Sequence, residues 1–156
     1  MLKRSFGLGV RKYISELAVR GDGAKVLAVD EGGNAVIWDV QAGQELLRLK
    51  VKPKKHQMTA AWSPDGKSVA VAGTGGTIRV FDAESGKELR AIAGHEKRTH
   101  CARFSDDGSQ LVSGGEDNLV KIWNVADEKE LIRMDGHAGG VSCVGFAAKG
   151  AQILSG

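Results

Sequence analysis

Residues 113–124 read Ser113-Gly114-Gly115-Glu116-Asp117-Asn118-Leu119-Val120-Lys121-Ile122-Trp123-Asn124, and weaker copies of this stretch stand on both sides of it. Phe81, followed by Asp82, lies 42 residues before Trp123, and Trp38, followed by Asp39, lies 43 residues before that. Gly94-His95 recurs 42 residues on as Gly136-His137, and Trp62, Phe104 and Phe146 stand 42 apart. The turn glycines Gly23, Gly66, Gly108 and Gly150 keep the same phase. Independent markers that share one period identify a repeat protein.

A period in the low forties with short β runs and glycine turns inside it is the pattern of propeller blades, four strands to each. The first unit predicts strands around Ile14, Leu17 and Val19, then at 25–29, 35–40 and 45–49. The second predicts 59–62, 67–71, 77–81 and 88–92, and the third 101–104, 110–113, 119–123 and 130–134. A fourth begins at 141–146 and 152–155. The units are 10–52, 53–94, 95–136 and 137–156, with Leu2 to Phe6 expected as a closing outer strand or an arm. Seven blades of this period need roughly 300 residues. The expectation is therefore an all-β propeller portion of about three blades and the first half of a fourth, from a longer ring. A fourth sheet ending at residue 156 would leave a strand edge open to another chain.

Gly94-His95, the Ser63-Pro64-Asp65-Gly66 turn and Trp38-Asp39 resemble the WD40 repeat family. The resemblance covers practically the whole chain, most weakly in the first unit. It implies that His95, Ser113, Asp117 and Trp123 form the hydrogen-bond network of a WD40 blade. A buried imidazole needs partners at both ring nitrogens, a carboxylate orients it, and an indole N–H supplies a donor at the far end. Ser, His and Asp are also the members of a nucleophilic triad. No nucleophile elbow or oxyanion nest accompanies Ser113, so the structural reading is preferred and no catalytic residue is expected.

The other units depart from this set. The second has Lys52-Pro53, Val71, Gly75 and Phe81 at the four places; the first has Val10, Ala28 and Gly32 but keeps Trp38; the fourth has His137 and Ser155. Losing all four members together is consistent with the cost of a half-satisfied buried network.

Composition narrows the functional classes. The 156 residues carry 22 basic and 19 acidic side chains, a net +3 that does not by itself imply nucleic acid. Cys101 and Cys143 occupy the same position in successive units, which fits equivalent sites in neighbouring blades better than a disulfide, and reduced thiols point to an intracellular, cytoplasmic setting, with nucleus or nucleolus as the alternative. No apolar run reaches membrane-span length. No metal site is expected, because His95 and His137 lack clustered ligands. No cofactor is expected either: the pairs Gly32-Gly33, Gly75-Gly76, Gly114-Gly115 and Gly139-Gly140 read as tight β turns, none being followed by the Gly-Lys-Ser/Thr of a phosphate loop.

Charge placement suggests an interaction face. Lys50, Lys52, Lys54, Lys55 and His56 fall in one loop before a first strand, and Lys97 and Arg98 in the next such loop. Asp22, Asp65, Asp106 and Asp107 occupy turns expected on the opposite face. The reading is a non-catalytic scaffold that binds an acidic protein surface or an extended peptide, with Lys54, Lys55, His56, Lys97 and Arg98 as the contact residues. Two alternatives are an RNA-associated WD40 component of a ribosome-assembly particle and the regulatory propeller of a larger enzyme.

Overall fold

The computed structural model describes residues 13–51 and 59–156. Each of the first three sheets is a four-stranded antiparallel meander in sequence order. The first contains β1 (Ile14–Val19), β2 (Lys25–Asp30), β3 (Ala35–Asp39) and β4 (Gln44–Leu49). The second contains β5 (Thr59–Trp62), β6 (Ser68–Ala72), β7 (Ile78–Asp82) and β8 (Glu88–Ile92). β9 (Thr99–Phe104), β10 (Gln110–Gly115), β11 (Val120–Asn124) and β12 (Glu130–Met134) make the third, and β13 (Val144–Ala147) pairs with β14 (Gln152–Ser155) in the last. β1 lies beside β5, β5 beside β9 and β9 beside β13, so the first strands of successive sheets line the inside of an arc.

Because each middle sheet is covered on both faces, its central strands are apolar at nearly every position rather than at alternate ones. In β6, Val69 and Val71 pack with Leu27, Val29 and Ile37 of the first sheet. Ala70 and Ala72 turn the other way, toward Leu111 and Trp123 of the third. Val112, Val120 and Ile122 continue the pattern against Val141, Val144 and Phe146. The outer strands face solvent along one side, and Leu46, Leu89 and Leu131 are exposed at equivalent places on β4, β8 and β12.

One irregularity repeats with the sequence. The pairing of third and fourth strands slips at Ile37/Trp38, Val80/Phe81 and Ile122/Trp123, each time just before the marker aromatic. Such a bulge raises local twist and re-aims the residue that follows it.

Two expectations need correction, the start of the strand over 141–146 and the turn at Gly114-Gly115. The strand expected over 141–146 begins at Val144; Val141 instead sends its N–H to the Gly115 carbonyl at 3.0 Å and is fully buried. The turn expected to end at Gly150 is present, as the 3₁₀ turn Ala148–Gly150. Gly114-Gly115 is not a turn but the end of β10. A Cβ on Gly115 would collide with the His95 ring and lie 2.6 Å from Asp117 Oδ1, so the glycine is required by close approach. The expected closing strand at Leu2 to Phe6 lies outside the described residues.

Candidate functional site

The third sheet brings His95, Ser113, Asp117 and Trp123 together. His95 sits in the loop leading into β9, Ser113 within β10, Asp117 in the turn after β10, and Trp123 on β11. The indole Nε1 of Trp123 donates to Ser113 Oγ at 2.9 Å. Ser113 Oγ is 2.8 Å from His95 Nε2, and His95 Nδ1 is 2.8 and 3.0 Å from the two carboxylate oxygens of Asp117. Asp117 also accepts the Leu119 N–H at 3.3 Å.

Only one proton arrangement satisfies every member of this chain. The indole can only donate, so Ser113 accepts from it and uses its own proton toward His95 Nε2. That nitrogen must then be the acceptor, which leaves the ring proton on Nδ1 to donate to the carboxylate. A neutral imidazole is required. Burial pushes the His95 pKa below its usual value, outweighing the upward pull of Asp117. Burial also pushes Asp117 upward, but the His95 hydrogen bond and the Leu119 and Glu96 backbone N–H groups together hold it below the ordinary carboxylate range.

The distances between Ser113, His95 and Asp117 would suit a nucleophilic triad. Accessibility would not: Ser113 is 0% exposed, and its oxygen already accepts the Trp123 N–H. A reacting carbonyl has no route to that oxygen without opening the sheet.

Lys121 joins the same blade and was not singled out from the sequence. It is buried, donates to the Gly94 carbonyl at 2.9 Å, lies 3.4 Å from Glu130 and stands over the Trp123 ring. Arg79 pairs with Glu88 at 2.7 Å in the same positions of the second sheet. A basic residue at 79 and 121 with a glutamate at 88 and 130 was the signal that could have revealed it.

The other sheets treat the set differently. Val71 and Phe81 are buried in the second sheet, 1% exposed each, where Ser113 and Trp123 stand in the third. In the first sheet, buried Asp30 accepts from the N–H groups of Gly32 and Asn34, both at 2.8 Å, and from the Asn34 amide at 2.7 Å. His137 Nε2 lies 2.8 Å from Ser155 Oγ, which repeats the His95–Ser113 contact at an exposed place. Lys52-Pro53 and Val10 lie outside the described residues.

Of the expected contact residues, Lys97 and Arg98 lie in the β8–β9 loop, Lys97 exposed and Arg98 half-buried. Glu96 precedes them, and the Glu116 N–H bonds the Arg98 carbonyl at 2.9 Å, so carboxylates share this part of the face. Lys54, Lys55 and His56 lie outside the described residues.

The acids on the opposite side largely build their own turns. Asp65 accepts from Ser63 Oγ at 2.6 Å and Asp107 from Ser105 Oγ at 2.6 Å, and Asp22 pairs with Arg20 at 2.6 Å. The Ser105 hydroxyl and the Ser109 N–H and hydroxyl pull the Asp107 pKa down to about 2. Among the described residues, no group of three His, Cys, Asp or Glu could hold a metal, and no helix is long and apolar enough to cross a membrane. Burial raises the Cys101 thiol to about 11, which makes it a poor nucleophile.

The family model for the WD domain, G-beta repeat, matches residues 49–82 and 86–124. The second match comprises β8 of one sheet and β9 to β11 of the next, so the sequence repeat is offset from the sheet by one strand. A search of curated proteins gave no significant match. Among solved structures, the chain is similar to that of U3-55K, with 27% identity over 85% of this chain and a TM-score of 0.79. It is also similar to the RRP9 WD40 repeats, with 28% identity over 85% of this chain and a TM-score of 0.78. In each case it spans 42% of the other chain's length. The chain thus carries two matched WD40 repeats and shares the fold of these WD40 structures.

Proposed function

We propose that the chain is a non-catalytic interaction scaffold that recognises an acidic protein surface or acidic peptide through the loop carrying Lys97 and Arg98, with Lys54, Lys55 and His56 from the preceding loop. The observation that carries this reading is the anchoring of His95, two residues before Lys97, by the buried chain to Asp117 and Ser113. A loop pinned at its base presents its charges with little ordering left to do on binding. The burial of Ser113 supports the absence of a reaction at this constellation.

The test is binding of a polyglutamate peptide and of a single-stranded RNA at two salt concentrations, to the protein and to a Lys97→Glu/Arg98→Glu variant of unchanged thermal stability. Weaker polyglutamate binding in the variant is expected, with the larger difference at low salt. Tighter binding of RNA than of polyglutamate, lost on the same reversal, would move the reading to nucleic acid. Binding of both probes unchanged by the reversal would reject this face.

A further inference from the structure

A cleft of about 360 Å³ opens between the second and third sheets, on the side away from the Lys97 loop. Its wall includes Val80, Leu89 and Val125, and its polar rim includes Arg90 and Asn124. The residues at this interface differ from their counterparts one interface earlier. Leu47 of β4, the counterpart of Arg90, packs into the core between the first and second sheets, in contact with Gly86. At the next interface Leu47 is replaced by Arg90 and Gly86 by Glu128. An apolar plug has become an ion pair.

That pair has two unusual properties. It is long, with Arg90 Nε 3.9 Å from Glu128 Oε1, and both side chains are more than a third exposed. Its carboxylate is also held at a backbone cost. Glu128 adopts φ 64° at the turn position where Gly43 and Gly86 adopt 68° and 71°. A non-glycine residue in this region is strained, and such strain concentrates at ligand clamps and switches. Arg90 itself is fixed by bonds to the Ala126 carbonyl at 3.2 Å and the Leu89 carbonyl at 2.7 Å, so its guanidinium stays at the rim. Asn124 turns its side-chain oxygen to the N–H groups of Ala126 and Asp127, which leaves its NH₂ group to donate.

We infer that this cleft is a second recognition site, for an extended peptide that seats an apolar side chain against Val80, Leu89 and Val125 and places a carboxylate on Arg90 in exchange for Glu128. The volume suits one large side chain and its neighbouring backbone. The charge complement is a single cation already paired with a weakly held, half-exposed carboxylate, which a ligand carboxylate can displace at small cost. Asn124 offers a donor to a peptide carbonyl. The site is separate from the Lys97 loop and does not depend on it.

The probe is a fluorescent, N-acetylated peptide of alternating leucine and aspartate, titrated into the protein and followed by anisotropy. Arg90→Leu rebuilds the apolar plug of the preceding interface, and it is expected to weaken binding by about tenfold or more while leaving the fold intact. Glu128→Gly removes the competing carboxylate and relieves the backbone, and it is expected to tighten binding by about threefold or more. Lys97→Glu/Arg98→Glu should leave this affinity within about twofold, which separates failure at this site from failure at the loop face. Equal binding of an alternating leucine–asparagine peptide, no binding of either peptide to the Glu128→Gly protein, or an unchanged affinity in Arg90→Leu would overturn the inference.

Discussion

Glu16 and Arg103, separated by most of the chain, form a 2.7 Å ion pair that passes over the strand between them. Glu16 belongs to β1 and Arg103 to β9, and β5 runs between. The other Glu16 oxygen accepts the Ala60 N–H at 3.0 Å, and Arg103 reaches the Ala60 carbonyl at 3.5 Å. Both contacts on β5 are to the Ala60 backbone, whose own side chain is buried in the core between the first two sheets. An inner-strand edge that would otherwise show bare backbone is thereby capped.

Glu16→Ala should therefore speed hydrogen exchange at the Ala60 amide while lowering global stability by no more than about 1 kcal/mol, since the Arg103 side chain is 44% exposed. Unchanged protection of Ala60 in the variant would contradict the capping role.

Removing Asp117 leaves His95 without its orienting acceptor. Asp117→Ala is expected to cost about 1–3 kcal/mol in urea unfolding, and Ser113→Ala a similar amount because it strips both His95 and Trp123 of a partner. Changing three members to the residues of the second unit, Ser113→Val, Asp117→Gly and Trp123→Phe, together with His95→Leu, should cost less than the sum of the single changes. Strict additivity would show that the four residues do not act as one network.

Acid should loosen the third blade through His95. Its folded pKa lies below the ordinary value while the unfolded chain titrates near about 6.5, so below that pH the unfolded state binds the extra proton and stability falls. Asp117 has a lowered folded pKa, so its contribution is present above its ordinary range and is lost only as pH falls through the folded value. The urea midpoint should drop as pH falls below about 6.5 in the native protein, and less steeply in a His95→Leu protein. Parallel pH profiles for the two would rule His95 out as the source.

Gly115→Ala tests the close approach beneath the network. Its Cβ would collide with the His95 ring, so the expected loss is about 1–3 kcal/mol or more. Gly139→Ala, where a Cβ meets nothing within 4 Å, should be nearly neutral. Equal effects at the two positions would count against the packing described.

The strands were legible because each unit repeats the same apolar runs, turn glycines and aromatic at one spacing, so a weak signal in one unit was reinforced by its neighbours. The four members of the network were legible through motif resemblance. Glu16 and Arg103 were not, since their contact depends on three units lying side by side and on the backbone of the strand between them. The buried Lys121 was hidden for another reason: a lysine on a strand reads as solvent-facing until Gly94, Glu130 and Trp123 surround it. Gly115 was misread as a turn former because close packing against an imidazole leaves no mark in sequence that differs from a turn.

Nitrogen-15 chemical shifts of the His95 ring at neutral pH give the most direct test that this Ser, His and Asp constellation holds a blade together and carries no reaction. The account predicts a neutral imidazole with its proton on Nδ1, an acceptor Nε2, and no titration at or above the ordinary histidine value. An imidazolium at neutral pH, or a neutral ring protonated at Nε2, would contradict it.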